Sequence, residues 1–211
     1  MNLSNLKKKI SKYDILIFDL DDTIYPQKNY DTPALLSVSK FIQKKTNLKI
    51  LDIFNTLRKL KAIRRGKPPK FLFNVFFKNI TIRYKGFTIA KCIRLFQSYK
   101  CIELKKSKSL RSTIKNLHKT KILFLVTNGN TNRQNNKIKY LGIKKYFKKI
   151  FILDGIKKDI KPSTKDVQSL LKFISSHQEL KVAYIGDNLI SDKKFAKNLK
   201  ISFIHFEFPD K

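Results

Sequence analysis

Residues 14–26, "DILIFDLDDTIYP", place a short apolar segment directly against a group of acids. Five of the six residues in 15–20 are apolar, which is typical of a buried strand. The exception is Asp19, and Asp21 and Asp22 follow at once. Acids are scarce in this chain, which has 47 Lys and Arg against 15 Asp and Glu and a formal net charge of +32. Carboxylates gathered at the end of one strand therefore predict a divalent cation there.

The composition predicts one large domain, or a core with a modest insertion. The chain has 211 residues, 42% of them hydrophobic, and 17 are Phe, which is enough for a packed core. The apolar runs are far shorter than the ~20 residues that span a bilayer, so we expect no membrane association. The N-terminal residues lack the pattern of a secretory signal, and Cys92 and Cys101 are expected to be free thiols. Together these features predict a cytoplasmic protein.

The large positive charge does not by itself favour nucleic acid as a partner. A basic surface can be the footprint of a polyanion. Here, however, Lys far outnumbers Arg and is spread from Lys7 to Lys211. The abundance of Lys, Ile and Asn suggests a genome rich in A and T. Attraction for small phosphorylated anions is compatible with either origin of the charge.

Alternation of strand-like and helix-like segments predicts an α/β fold. Short apolar runs occur at 15–20, 122–126, 150–153, 182–185 and 201–206. Stretches of helical length separate the later runs, at 131–141, 164–175 and 191–199. Such alternation is typical of a parallel sheet with crossover helices. Ser163 and Asp166 also have the spacing of a capping box, which predicts a helix start after Pro162.

Residues 27–101 interrupt this alternation and are predicted to form a helical insertion. They contain no clear strand, and helix-like segments occur at 33–45, 50–63 and 87–99, with a breaker at 65–70. We therefore predict a Rossmann-like core in two pieces, residues 1–26 and 102–211, and an α-helical cap at 27–101. Basic residues of the cap are candidates for substrate contact: Arg58, Arg64, Arg65, Lys67 and Arg83.

Polar residues follow the predicted strands at four places, where open α/β sheets bind ligands. The first place holds Asp19 and Asp21, the second Thr127, the third Lys161, and the fourth Asp187 and Asp192. Any one of them alone could be a turn residue or a helix cap. Their order, strand context and spacing together predict an active site.

The four places resemble the motifs of the haloacid dehalogenase-like (HAD) superfamily of phosphohydrolases. The matching residues are Asp19-x-Asp21-x-Thr23, Thr127, Lys161 and Gly186-Asp187-x-x-x-x-Asp192. The insertion lies where the helical-cap branch of the superfamily has its cap. One departure is "KKFAKNLKI", residues 193–201, where Phe195 and Lys200 stand at positions that are often Gly in the family. The departure concerns helix packing and a turn rather than catalysis.

The resemblance implies a role for each motif residue. Asp19 would be the nucleophile that forms an aspartyl-phosphate. Asp21 would protonate the leaving group and then deprotonate water, which requires a raised pKa; a neighbouring carboxylate and low solvation could supply it. Thr127 and Asn128 would bind phosphoryl oxygens, and Lys161 would place a positive charge on the nucleophile and the phosphoryl group.

The resemblance also implies Mg²⁺ as the cofactor. Asp19 and Asp187 would bind it through their side chains and Asp21 through its backbone carbonyl. Asp192 would support the site from outside or through water. Oxygen ligands of this kind suit Mg²⁺. Asp22 is expected to make a local hydrogen bond to the backbone.

A Mg²⁺-dependent phosphatase is the leading functional prediction. Its substrate would be a small phosphorylated metabolite, and a sugar phosphate, phosphoglycolate and a nucleoside monophosphate all stay open. A phosphomutase of the β-phosphoglucomutase type would use the same intermediate. A non-catalytic basic binding protein on this fold is less favoured, because no motif residue is lost. Dehalogenase chemistry would leave Asp21 and the metal ligands without a purpose. The sequence does not predict the oligomeric state.

Overall fold

The central element of the protein is a sheet of five parallel strands. The structure is a computed structural model that describes residues 2–63, 69–79, 86–106 and 109–208. The strands are β1 (Ile15–Phe18), β2 (Ile122–Asn128), β3 (Lys149–Leu153), β4 (Val182–Gly186) and β5 (Ser202–His205). They are ordered β3-β2-β1-β4-β5, and every pairing is parallel. The predicted Rossmann-like α/β class is therefore confirmed.

Strand β1 lies at the centre of the sheet, which determines where the motifs meet. Phe18, its last residue, is in register with Leu125 of β2 and Ile185 of β4. All four residues of β1 are completely buried, as expected for an apolar strand with neighbours on both sides. Since the three strands run in the same direction, the residues that follow them lie at one edge of the sheet.

Nine α-helices occur in the described parts of the chain. They are α1 (Leu3–Ile10), α2 (Lys28–Gln43), α3 (Ile50–Ile63), α4 (Pro69–Asn79), α5 (Gly86–Gln97), α6 (Arg111–Leu117), α7 (Thr131–Leu141), α8 (Gln168–Ser175) and α9 (Ser191–Asn198). Short 3₁₀ turns occupy Ile102–Lys105, Lys144–Tyr146 and Lys165–Val167. Among the described residues, no helix combines the length and the apolar character that crossing a bilayer requires.

The chain divides into two compact units. Met1–Asn29 and Ile102–Lys211 form the core unit, which contains the sheet, and Tyr30–Cys101 form the helical unit. The core unit packs apolar side chains of the strands against α9, with Tyr184 and Phe195 in edge-to-face contact. The helical unit has buried aromatic contacts of its own. There the Tyr30 hydroxyl donates to the Phe96 carbonyl at 2.9 Å, and the Phe96 ring meets Phe73 edge to face.

Several predicted helix boundaries differ from the structure. Helix α4 was not predicted, because its first residues, Pro69 and Lys70, lie in the stretch 65–70 that was interpreted as a breaker. Helix α2 begins at Lys28, before Pro33, and tolerates that proline inside it. The predicted capping box is wrong, because Ser163 Oγ donates to Asp159 Oδ2 at 3.2 Å and Asp166 Oδ2 accepts from the Asp159 N–H at 2.6 Å. Helix α8 starts only at Gln168, after a 3₁₀ turn.

The two family positions that lack glycine are accommodated in the core unit. Phe195 is completely buried and belongs to the apolar core. Lys200 adopts the left-handed conformation with φ 56°, which a glycine would adopt without steric cost. Both departures therefore concern packing and a turn, as the sequence predicted.

Candidate active site

Three of the predicted metal-binding carboxylates lie together at the carboxyl edge of the sheet. Asp19 follows β1, and its N–H donates to the Ile185 carbonyl at 2.9 Å. Asp19, Asp187 and Asp192 each offer a carboxylate oxygen, and these oxygens lie within 4.8 Å of one another. Asp19 and Asp192 are buried, and Asp187 is half-buried. The side chain of Asp21, the fourth predicted residue, points to different partners.

Gly186 makes room for one of these carboxylates. A Cβ atom added at Gly186 would lie 2.3 Å from Asp192 Oδ2, which is well inside van der Waals contact. The same oxygen accepts the N–H of Asn188 at 3.1 Å. The glycine that ends β4 is therefore required by the close approach of Asp192.

Lys161 bridges two of the three carboxylates. Its Nζ donates to Asp19 Oδ1 and to Asp192 Oδ1, both at 2.6 Å, and to the Tyr184 hydroxyl at 2.8 Å. Burial lowers the pKa of Lys161, but the charges of Asp19 and Asp192 outweigh it and the pKa is raised overall. The backbone N–H of Lys161 donates to Asn128 Oδ1 at 2.9 Å. The ammonium therefore stays protonated, and β2 helps to hold its segment in place.

The acidic cluster fits a hard divalent cation. Its three carboxylates outnumber the single ammonium of Lys161 that contacts Asp19 and Asp192. Burial raises the pKa of Asp19 well above its usual value, with Lys161 opposing the rise and Asp192 adding to it. A bound cation would favour the ionised form and so oppose the rise. Because the cluster offers only oxygen ligands, it suits Mg²⁺ or Ca²⁺ better than a thiolate-seeking metal.

Thr127 and Asn128 both take part in hydrogen bonds that order the site. Thr127 lies near the end of β2 and is 1% exposed. Its Oγ1 accepts from Gln134 Nε2 at 2.7 Å, so the hydroxyl hydrogen can still be donated. The Asn128 carbonyl also accepts from Gln134 Nε2, at 3.0 Å. The Asn128 side chain, which was predicted to bind phosphate, accepts the N–H of Lys161.

The side chain of Asp21 is held by donors from two directions. Lys137 Nζ lies 2.8 Å from both of its carboxylate oxygens. The Tyr25 hydroxyl donates to Oδ1 at 2.6 Å, and Gln134 Nε2 donates to Oδ2 at 3.0 Å. Burial raises the pKa of Asp21, but Lys137 and these hydrogen bonds outweigh it and lower the pKa to about 2. The expectation of a raised pKa is therefore wrong, because it did not include Lys137.

Two of the residues that the sequence analysis missed lie on helix α7. Gln134, Lys137, Ile138 and Leu141 are buried and follow the i, i+3, i+4, i+7 spacing of one helix face. Two polar residues on such a face need buried partners, and this was a signal available in the sequence. Tyr184 was missed because it lies within an apolar strand and gives no such signal.

The remaining predicted residues have simpler surroundings. Asp22 adopts φ 56°, and its Oδ1 accepts the N–H of Gln27 at 2.9 Å, which is the expected local hydrogen bond. Arg58 is exposed on α3, with its guanidinium 5.9 Å from the centre of the Phe54 ring. The other candidate cap residues lie outside the described residues: Arg64, Arg65, Lys67 and Arg83. Cys92 and Cys101 are buried free thiols, and burial raises the pKa of Cys92 to about 12.

The family of the protein follows from a match to a family model. The model of the haloacid dehalogenase-like hydrolases matches residues 13–200, which include every motif residue described above. The chain therefore belongs to the haloacid dehalogenase-like hydrolase family. Comparison with curated protein sequences gave no match.

Solved structures of the same fold come from several bacteria. The candidate HAD hydrolase YfnB from Bacillus subtilis, described as bound to magnesium, has a TM-score of 0.69 and 20% identity, with 93% of this chain and 89% of that chain covered. A candidate phosphatase from Clostridium difficile has a TM-score of 0.64 and 20% identity, covering 92% and 85%. A 2-haloacid dehalogenase from Pseudomonas syringae has a TM-score of 0.56 and 15% identity, covering 92% and 86%. At these identities the likeness establishes the fold alone.

Proposed function

We propose that the protein is a Mg²⁺-dependent phosphatase that hydrolyses a small phosphorylated metabolite through an aspartyl-phosphate at Asp19. The observation that carries the proposal is the placement of Lys161, whose Nζ donates to both Asp19 and Asp192 at 2.6 Å. A phosphate monoester is anionic and repels a carboxylate nucleophile. Attack on it therefore needs fixed positive charge beside the nucleophile, and Lys161 supplies part of that charge.

In the proposed first step an oxygen of Asp19 attacks phosphorus, and the bond to the leaving oxygen breaks. The Lys161 ammonium stabilises the charge that gathers on the phosphoryl oxygens. Thr127 donates its hydroxyl hydrogen to one of these oxygens. That hydrogen is available because Thr127 uses only its oxygen, as an acceptor, in the contact with Gln134. The products of this step are an aspartyl-phosphate and the leaving oxygen, which takes a proton from solvent water to become an alcohol.

In the second step water attacks the aspartyl-phosphate and releases inorganic phosphate and Asp19. We assign Asp21 to take the proton from this water. A carboxyl whose pKa lies at about 2 is ionised at neutral pH, which suits a base better than an acid. The proposed role of Asp21 is therefore narrower than the acid and base role that the family resemblance implied.

The metal in this proposal is held by the acidic cluster. Asp19 and Asp187 would bind it through their side chains and Asp21 through its backbone carbonyl. Both carboxylate oxygens of Asp192 already accept hydrogen bonds, from Lys161 Nζ and from the N–H of Asn188, so we assign it a supporting role. When bound, Mg²⁺ supplies positive charge that neutralises phosphoryl oxygens.

We further propose that the helical unit, Tyr30–Cys101, is a cap that selects the leaving group. A cap that closes over a site excludes bulk water and favours small substrates. In this assignment the core unit contacts the phosphoryl group, and the cap contacts the rest of the substrate.

The test is a phosphate-release screen with and without Mg²⁺. The panel holds sugar phosphates, phosphoglycolate and nucleoside monophosphates, and the Asp19→Asn variant is the matched control. We expect Mg²⁺-dependent release of phosphate from at least one compound by the native protein and none by the variant. Isomerisation of a sugar phosphate without phosphate release would establish a phosphomutase instead. Halide release from a 2-haloacid without turnover of any phosphate ester would establish a dehalogenase.

A further inference from the structure

Helix α7 buries two polar side chains at the edge of the candidate active site. Gln134 and Lys137 are both completely buried, one helical turn apart. Burying an ammonium or an amide costs free energy unless the group is hydrogen-bonded or, for the ammonium, paired with an opposite charge. An ion pair at such a place is often no more stabilising than apolar residues of the same size, so stability alone does not explain it.

The partners of these two side chains are the residues to which the proposed function gives chemical roles. Lys137 Nζ lies 2.8 Å from each oxygen of Asp21, so a single ammonium contacts both carboxylate oxygens. Gln134 Nε2 is within hydrogen-bond distance of Asp21 Oδ2 and of Thr127 Oγ1, at 3.0 and 2.7 Å. One helix thus connects the proposed base after β1 with the proposed phosphate ligand on β2.

The geometry also distinguishes the two oxygens of Asp21. Oδ1 accepts from Lys137 and from the Tyr25 hydroxyl at 2.6 Å. Oδ2 accepts from Lys137 and from Gln134, whose two amide hydrogens are shared among three acceptors. Oδ2 is therefore the less firmly held oxygen.

We propose that Lys137 and Gln134 are positioning residues for the hydrolysis of the aspartyl-phosphate. Lys137 fixes the plane of the Asp21 carboxylate, and Gln134 sets Oδ2 relative to Thr127. This inference rests on the proposed function, because Asp21 and Thr127 act on the phosphoryl group only in that reaction. It predicts that loss of either side chain impairs the second chemical step more than the first.

The kinetic test uses Lys137→Met, which keeps the length of the side chain and removes its donors. Lys139→Met is the matched control, since Lys139 is exposed on the same helix. With an aryl phosphate in rapid mixing, we expect Lys137→Met to release a burst of phenol close to one per active site, followed by turnover lowered about tenfold. That loss is a fraction of the ~10²–10⁴-fold that a positioned proton-transfer group contributes. Lys139→Met should match the native protein.

A double variant separates positioning from a merely structural role. If Lys137 acts through Asp21, Lys137→Met should lower turnover by less than twofold when Asp21→Asn is already present. Loss of the burst together with turnover, or full additivity with Asp21→Asn, would overturn the inference. Gln134→Met keeps the ion pair and provides a second variant, for which the same retained burst and slower turnover are expected.

Crystal structures of the native protein, Lys137→Met and Lys139→Met decide the inference without any activity. We expect the Asp21 carboxylate to rotate in Lys137→Met and to keep its orientation in Lys139→Met. An unchanged Asp21 in Lys137→Met would contradict the positioning role, whatever the reaction. A native protein that releases no phosphate from any substrate would instead contradict the proposed function, so the two failures are distinguishable.

Discussion

Lys161 Nζ lies 2.6 Å from Asp19 Oδ1, across 142 residues of sequence. Both residues are buried, at 4% and 7% exposure, so the contact forms where solvent screens it weakly. The same ammonium holds Asp192, which couples the nucleophile candidate to the metal-binding cluster. This contact therefore places a fixed positive charge between the nucleophile candidate and the metal-binding cluster.

The first prediction concerns the metal. EDTA should abolish phosphate release and Mg²⁺ should restore it, because the clustered carboxylates need a cation when a phosphate also binds. Binding of Mg²⁺ should also raise the free energy of unfolding, by about 2.7 kcal/mol when Mg²⁺ is at ~100 times its Kd. Differential scanning calorimetry with and without Mg²⁺ measures this directly.

The control variants for the metal are Asp187→Asn and Asp52→Asn. Asp187 belongs to the cluster, and Asp52 is an exposed acid on α3. Only Asp187→Asn should lose the stabilisation by Mg²⁺. Full turnover in chelator, or an equal response of both variants to Mg²⁺, would show that the assignment of Asp187 as a ligand is wrong.

The second prediction concerns the nucleophile. Asp19→Asn should remove turnover and keep the fold, because the amide is nearly isosteric but lacks the attacking charge. Mass spectrometry of acid-quenched native protein should find phosphate on the peptide that contains Asp19. The peptide from the variant should carry none.

Asp22→Asn is the matched control for Asp19→Asn. Asp22 lies in the same loop with φ 56°, a conformation that asparagine also adopts. Its side-chain oxygen can still accept the N–H of Gln27, so turnover should persist. Turnover by Asp19→Asn at the native rate would refute an aspartyl-phosphate at this position.

The third prediction concerns Asp21. Because its pKa lies at about 2, the carboxylate is available as a base throughout the neutral range. Asp21→Asn should therefore accumulate the aspartyl-phosphate, with a burst of alcohol and a slow steady rate that is the same for alkyl and aryl phosphates. Quenched-flow assays of alcohol and phosphate on the same samples measure both phases. A loss that grows with the pKa of the leaving alcohol would assign Asp21 to the acid step instead.

The fourth prediction concerns the close approach of Gly186 and Asp192. Gly186→Ala places a Cβ 2.3 Å from Asp192 Oδ2, so the carboxylate or the strand must shift. We expect the free energy of unfolding to fall by about 1–3 kcal/mol, the usual cost of overpacking. Affinity for Mg²⁺ should fall as well, because Asp192 moves within the cluster.

Denaturant unfolding of Gly186→Ala, Asp192→Ala and the double variant tests the cause. If the Cβ clashes with the Asp192 carboxylate, the losses should be less than additive, since Asp192→Ala removes Oδ2 and Cγ, the two atoms that would lie nearest to the added Cβ. Strict additivity would show that Gly186 is needed for another reason.

Much of the candidate site was predictable because its residues follow strands. Asp19, Thr127 and Asp187 each come directly after or at the end of an apolar run, and parallel strands bring such positions to one edge. Spacing along the chain is therefore enough to predict that these side chains are neighbours. The family resemblance added a predicted role for each residue. The family match agrees with the resemblance, and the roles stay predictions.

The sequence by itself determined the parallel α/β sheet and the shared edge at which the acids and Lys161 lie. Only the tertiary structure decided the chemistry of Asp21. Its partner Lys137 is 116 residues away and reaches it from a separate helix. The pKa of a buried carboxyl depends on which charges pack against it, and burial alone raises the pKa whereas a buried ammonium lowers it. That balance follows from the tertiary packing that brings Lys137 of α7 to the loop after β1, which no local pattern in the chain specifies.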